Sequence, residues 1–135
     1  MKIGELAQAT RSTVETVRYY EKEGLLPEPQ RTERNYRFYG TEHVERLRFI
    51  RNCRVLDMTH QEIRTLLQAM DQPAAGCGSV NTLIDAHIQH VEVRIHELLG
   101  LQAQLMALRQ RCVGEQLAQT CGILHELSTM EAEGT

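Results

Sequence analysis

Four cysteines, Cys53, Cys77, Cys112 and Cys121, are the side chains of this 135-residue chain with the most chemistry available to them. Thiolates are soft ligands, so several sulfurs gathered at one point select a thiophilic ion. Three of the four, Cys77, Cys112 and Cys121, flank the two ends of one long helical segment, whereas Cys53 sits inside a shorter one (Asn52-Cys53-Arg54) and reads as a small core residue. Three sulfurs are one short of the four ligands of a closed structural zinc site. They suit Pb(II), Cd(II) or Hg(II) by softness, and softness alone does not rank those three. A thiol redox sensor is the alternative, although the chain has no Cys-x-x-Cys and no histidine placed to activate a cysteine. Of the six histidines, His87 and His90 stand three apart, a helical spacing from which both could reach one ion. His87 also falls on an otherwise apolar helical row, where a polar residue sets register, and that structural role is the favoured one. His43, His60, His96 and His125 form no constellation.

The element that must position these cysteines is residues 79–111, which contain no proline and a single glycine, Gly100. Ile84, Val91, Leu98 and Leu105 recur every seven residues, Val80, His87, Arg94, Leu101 and Leu108 form the companion row, and Ile88 and Ile95 widen the stripe. This is a coiled-coil seam of about four heptads. At 1.5 Å per residue the helix spans roughly 50 Å, so it needs a partner helix, and a second copy of the chain is the economical one. Cys77 and Cys112, at opposite ends, cannot share a site within one chain. In an antiparallel homodimer, Cys77 of one subunit meets Cys112 and Cys121 of the other, with residues 113–120 as a loop folded over the ion.

The preceding 70 residues read differently. Ile3 to Ala9 forms a short helix, Thr10-Arg11-Ser12 interrupts it, and a capping box with Ser12 as N-cap and Glu15 opens a second helix that runs to about Lys22 and stops at Gly24. Two short helices joined by a tight turn make a helix-turn-helix. Proline-rich Leu25-Leu26-Pro27-Glu28-Pro29 follows, then a small β-hairpin wing over 31–39 with Asn35 in its turn and Arg31, Arg34 and Arg37 among tyrosines, a mixture suited to phosphate contact. Thr41 caps a third helix to about Arg54, and the capping box Thr59-His60-Gln61-Glu62 opens a fourth carrying Ile63, Leu66, Leu67 and Met70. The expected division is a winged helix-turn-helix DNA-binding domain over 1–70, a linker over 71–78, a dimerisation helix over 79–111, and a metal-binding loop and C-terminal helix over 112–135.

Charge agrees with that division. The net charge of −3 conceals a balance of +2 over 1–70, which hold 12 of the 15 basic residues, and −5 over 71–135. A basic head on an acidic body is compatible with nucleic acid even where the whole chain is acidic. No apolar run reaches the roughly 18–20 residues needed to cross a bilayer, and Met1-Lys2-Ile3-Gly4-Glu5 lacks a secretory signal. A cytoplasmic setting, with cysteines as thiols and no membrane partner, is the expectation.

Together these residues resemble the MerR family of transcriptional regulators over almost the whole chain. The resemblance is carried by Ile3-Gly4-Glu5-Leu6-Ala7, Val17-Arg18-Tyr19-Tyr20-Glu21, Gly24-Leu25-Leu26-Pro27, Asn35-Tyr36-Arg37-Phe38-Tyr39 and Arg48-Phe49-Ile50-Arg51. Within the family the chain is similar to the lead/cadmium-responsive branch through Arg51-Asn52-Cys53-Arg54, Leu56-Asp57-Met58, Cys77-Gly78-Ser79-Val80-Asn81 and Asp85-Ala86-His87-Ile88-Gln89-His90-Val91. It implies a mainly α fold: a winged helix-turn-helix head with a small β wing, a long antiparallel coiled-coil dimerisation helix, and a short C-terminal metal-binding loop and helix. It implies no enzyme.

Cys77 stands where monovalent-copper sensors of the family have serine, which implies a divalent ion. Cys112 is followed by Val113 rather than by the second adjacent cysteine usual in zinc sensors, which disfavours Zn(II). Mercury sensors share a similar Cys-x8-Cys loop, so Hg(II) stays open. The tail Met130-Glu131-Ala132-Glu133-Gly134-Thr135 lacks the histidines that cadmium sensors of this branch can carry, which places Pb(II) ahead of Cd(II) and weakens the case for a second site at His87 and His90 with Glu62. The resemblance also implies double-stranded promoter DNA as partner. Thr16, Arg18 and Tyr19 would lie at the major groove, and Tyr20, Arg31, Asn35, Tyr36 and Arg37 at the backbone. RNA polymerase at that promoter would read a metal-dependent DNA distortion.

Overall fold

A computed structural model describes residues 1–112, 114 and 117–131. Val113, Glu115 and Gln116 of the expected loop, and residues 132–135 of the tail, lie outside the described residues. The elements are α1 (Ile3–Ala9), α2 (Val14–Lys22), β1 (Gln30–Arg31), β2 (Arg37–Phe38), α3 (Thr41–Val55), α4 (His60–Met70), α5 (Gly78–Arg109), a single 3-10 turn (Ala118–Thr120) and α6 (Gly122–Thr129). They fall into two compact units, Met1–Ile84 and Asp85–Thr135.

The first unit has one apolar core. Leu6 and Ala7 of α1, Val17 of α2, Leu25 and Leu26 after it, Leu47, Ile50 and Cys53 of α3, and Ile63, Leu66 and Leu67 of α4 are buried together with Met58 and Tyr39. The apolar positions recur at helical spacing, so each helix turns one stripe inward. Val80, Leu83 and Ile84, the first turns of α5, pack against the same core. Met70, the last residue of α4, is 45% exposed.

Three helices of this unit end in the same way, and the ends decide how the next element leaves. After α1, Ser12 N–H bonds to Ala7 O (2.8 Å) and Arg11 N–H to Gln8 O (3.3 Å), with Arg11 left-handed at φ 54°. After α2, Leu25 bonds to Tyr20 O (2.9 Å) and Gly24 to Glu21 O (3.1 Å), with Gly24 at φ 74°. After α3, Met58 bonds to Cys53 O (3.1 Å) and Asp57 to Arg54 O (3.0 Å), with Asp57 at φ 61°. Each is a Schellman motif, which satisfies orphan carbonyls and reverses the chain. Only the second carries the glycine that announces it.

The caps also correct two expectations. Thr13, not Ser12, caps α2: its Oγ1 accepts from Thr16 N–H (3.1 Å), while Ser12 is occupied with Thr10. Gly40, not Thr41, precedes α3, and its N–H donates to Nδ1 of His43 (3.1 Å). The box at Thr59 and Glu62 forms as expected, with Thr59 N–H donating to Glu62 Oε1 (3.0 Å) and Glu62 N–H to Thr59 Oγ1 (3.2 Å).

The wing is a two-stranded antiparallel ribbon pairing Gln30 with Phe38 and Arg31 with Arg37. Asn35, left-handed at φ 67°, closes its turn, where Asn35 N–H bonds to Thr32 O and Thr32 N–H to Tyr36 O (both 2.8 Å).

In the second unit no described residue is buried. α5 starts one residue before the expected boundary and stops two before it, tightening through Gln110 and Arg111 into three-residue turns. Its apolar rows stand open, Leu98 at 49% and Leu105 at 65% exposure. No helix among the described residues is long and apolar enough to cross a membrane.

Candidate metal centre and nucleic-acid interface

The 3-10 turn and α6 bring the chain back to the end of α5, and this return places two of the three expected ligands side by side. Cys121 is the N-cap residue of α6, and Cys112 lies three residues beyond the end of α5. Cys121 is the largest influence on the Cys112 thiol and pushes it up from its ordinary value, while Cys112 Sγ donates to Gly114 O (3.7 Å). Cys121 moves the other way: the backbone N–H of Leu124 and then of Ile123, at the open end of α6, pull its thiol down, assisted by Cys112 and opposed by desolvation. Unpaired N–H groups at a helix start favour negative charge, which is the reason Cys121 is the sulfur that ionises more readily. On losing both thiol protons, the two sulfurs offer a soft cation a pair of thiolates, so the donor set fits a thiophilic ion.

Cys77, the third expected ligand, is an exposed free thiol in the first unit, immediately before α5. Cys53 is buried in the core and burial pushes its thiol up, in keeping with its reading as a packing residue. His87 and His90 share α5, their rings edge-on with centroids 6.5 Å apart. Glu62 belongs to the first unit, where its carboxylate accepts from Thr59 N–H.

The expected DNA-contacting residues gather on α2 and the wing. Arg18 and Tyr19 are exposed on α2, as are Arg31, Asn35, Tyr36 and Arg37 on the wing, while Thr16 and Tyr20 are half-buried. Arg18, Lys22, Arg31 and Arg37, with Glu21 and Glu28, line one groove between these elements, an excess of positive charge suited to phosphate. These cations are not equally free. Arg37 Nη1 pairs with Glu21 Oε2 at 3.2 Å, and Arg31 Nη1 donates to Asn35 O at 3.1 Å. Glu21 also receives the Tyr39 hydroxyl; burial first, and the Glu21 carboxylate second, push that phenol up, so it stays a donor.

Residues that the pattern of the sequence did not single out support this surface. His60 Nδ1 shares a hydrogen bond with the Tyr19 hydroxyl (3.3 Å), and its ring packs on Tyr19 and Tyr20 with centroids 5.4 and 5.9 Å away. Arg64 Nη2 donates to Glu23 O (2.9 Å), tying α4 to the end of α2. Both partners are 41 positions apart in the chain, beyond any local motif. His43 has no exposed surface; with Nδ1 accepting from Gly40, its Nε2–H donates to Pro27 O (3.2 Å), a structural role that leaves no ligand atom.

Comparison with known proteins places the chain in a family. A family model described as "MerR HTH family regulatory protein" matches residues 1–70, and a second, "MerR, DNA binding", matches residues 44–108. A "HTH-type transcriptional regulator ZntR homolog" of Haemophilus influenzae is 48% identical over 113 residues, 84% of each chain. The mercuric resistance operon regulatory protein of Bacillus cereus is 37% identical over 93% of this chain and 96% of its own. Among solved structures, the transcription regulator PbrR691 of Ralstonia metallidurans CH34, in complex with lead(II), superposes with a TM-score of 0.84 at 51% identity, over 94% of this chain and 98% of that one. The chain therefore belongs to the MerR family of helix-turn-helix regulatory proteins, and it is a regulator of transcription rather than an enzyme.

Proposed function

We propose that this protein is a metal-responsive regulator that senses a thiophilic divalent ion, Pb(II) in preference to Cd(II), and activates a metal-resistance or efflux promoter by distorting its DNA. The observation that carries this reading is the return of α6 to the end of α5, which sets Cys121 beside Cys112. The lead(II) complex of the 51% identical regulator supports the choice of ion.

Two chains associate antiparallel through the exposed rows of α5, which brings Cys77 of one subunit to the Cys112–Cys121 pair of the other. Thiolates contributed by both subunits favour one of two dimer arrangements, and a ligand shifts such an equilibrium only through its differential affinity. The two heads, held on successive half-sites by α2 and the wing, convert that shift into bent or twisted DNA presented to RNA polymerase.

Cys77→Ser, Cys112→Ser and Cys121→Ser should each abolish induction in a metal-dose transcription assay while a gel shift still shows promoter binding. A mutant that responds like the parent would remove its cysteine from the site. The neighbouring thiols also suit a redox switch; retention of the metal response with all thiols reduced separates the two readings.

A further inference from the structure

We propose that Arg111, Gly122 and Glu126 form a clasp beneath the thiol pair that sets the separation of the Cys112 and Cys121 sulfurs, and with it how tightly the chain holds a soft ion. The inference rests on the thiol-site reading above and concerns three residues which that reading does not use.

Gly122, the first residue of α6, lies so close to the end of α5 that a Cβ there would stand 2.2 Å from Arg111 O, 3.1 Å from the Arg111 carbonyl carbon and 3.2 Å from its Cβ. The obstacle is mostly backbone, which cannot swing aside as a side-chain tip can. Glycine opens a helix poorly compared with alanine, so its presence here answers to proximity rather than propensity. One turn further along the same face of α6, Glu126 Oε2 accepts from Arg111 Nη2 at 2.5 Å. Arg109 Nη1 meanwhile donates to Cys112 O (2.8 Å), holding that residue to the last turn of α5.

Arg111 is bonded directly to Cys112, and Gly122 directly to Cys121. Any movement of α6 away from Arg111 therefore displaces one sulfur and leaves the other in place. Relieving the methyl of an alanine at position 122 needs a shift on the order of 1 Å, whereas metal–ligand distances tolerate only about 0.2 Å. The ion pair is exposed, so its share is smaller than that of the backbone approach.

The test uses the full-length protein. Pb(II) affinity is read from thiolate-to-metal absorption under chelator competition, and the metal-free thiol spacing from the rate at which diamide joins Cys112 to Cys121, mapped by mass spectrometry. G122A should weaken Pb(II) binding roughly tenfold or more, the usual effect of disturbing groups that orient ligands, and should slow the disulfide. Arg111→Gln and Glu126→Gln should each cost about threefold, and the charge exchange R111E/E126R should recover most of that loss.

Parental affinity and disulfide rate in G122A would overturn the clasp, and failure of the exchange to recover would remove the ion pair from it. Helix content and dimer mass are followed throughout; the exposed Arg111 and Glu126 variants keep the idea testable if G122A unfolds. If cysteine substitution leaves parental Pb(II) binding intact, the thiol-site reading is what fails, and the disulfide rates still decide the clasp.

Discussion

At the scale of single residues, the head spends conformational strain where its helices turn. Arg11 and Asp57 hold left-handed φ values of 54° and 61°, which cost an L-residue roughly 1–2 kcal/mol each. Glycine removes that cost and returns part of it as unfolded-state entropy. Arg11→Gly and Asp57→Gly should therefore each raise stability by about 0.5–1 kcal/mol in chemical denaturation; a loss would show that the side chain makes a compensating contact. Tyr39 makes a second, pH-dependent prediction. Its phenol is held up by burial and by Glu21, so its stabilisation is fully present below its unfolded value of 10.0 and is lost as pH rises through the higher folded value. Tyr39→Phe should flatten the alkaline limb of the stability profile and leave the neutral core packed. An unchanged limb in that variant would assign the alkaline loss to another group. None of this was legible locally: a left-handed arginine looks like any arginine, and the Glu21–Tyr39 bond spans 18 positions.

At the scale of elements, α2 and the wing divide the work of phosphate binding unequally. Among the described residues Arg31 is bonded to a neutral carbonyl, whereas Arg37 already faces the Glu21 carboxylate. Releasing counterions from DNA requires a net free cation, so Arg31→Ala should lower the slope of log affinity against log salt by about 1. Arg37→Ala should lower it less, because Glu21 is freed at the same time. Fluorescence anisotropy over a salt series checks the order, and equal slopes would mean that Glu21 does not neutralise Arg37 in the complex. The helices themselves were read correctly from apolar spacing and capping residues, α1 to the residue. Among α1 to α4 the errors lay at the ends: Thr13 competed with Ser12, the His43 ring replaced the Thr41 hydroxyl, and Met70 stands exposed at the end of α4. Adjacent polar residues all suit a cap, and which one is used depends on how the preceding turn leaves the chain.

For the whole molecule, the open rows of α5 are the largest consequence. A helix whose Leu98 is 49% and Leu105 65% exposed is stable only against another apolar surface. Leu98→Asp should yield monomers in sedimentation, with the heads still folded because their core lies in the first unit, and should abolish tight Pb(II) binding. Folded monomers that bind Pb(II) like the parent would place the site within one chain. Mixing Cys77→Ser with Cys112→Ser subunits tests the same arrangement in reverse: heterodimers should regain one of the two sites in a titration, and no recovery would exclude the antiparallel placement.

The sequence by itself determined the helices, the basic head with its wing, the heptad seam and the candidate ligands, because apolar periodicity, capping chemistry and charge are local properties of the chain. The Cys112–Cys121 spacing already put both at one site, but tertiary structure alone decided that Cys121 is the more acidic of the two, that Gly122 sits against Arg111, and that Glu21 restrains Arg37. Those are relations between residues separated by nine to sixteen positions, set by how α6 returns to α5 and how the wing returns to α2, and no spacing along the chain encodes such a return.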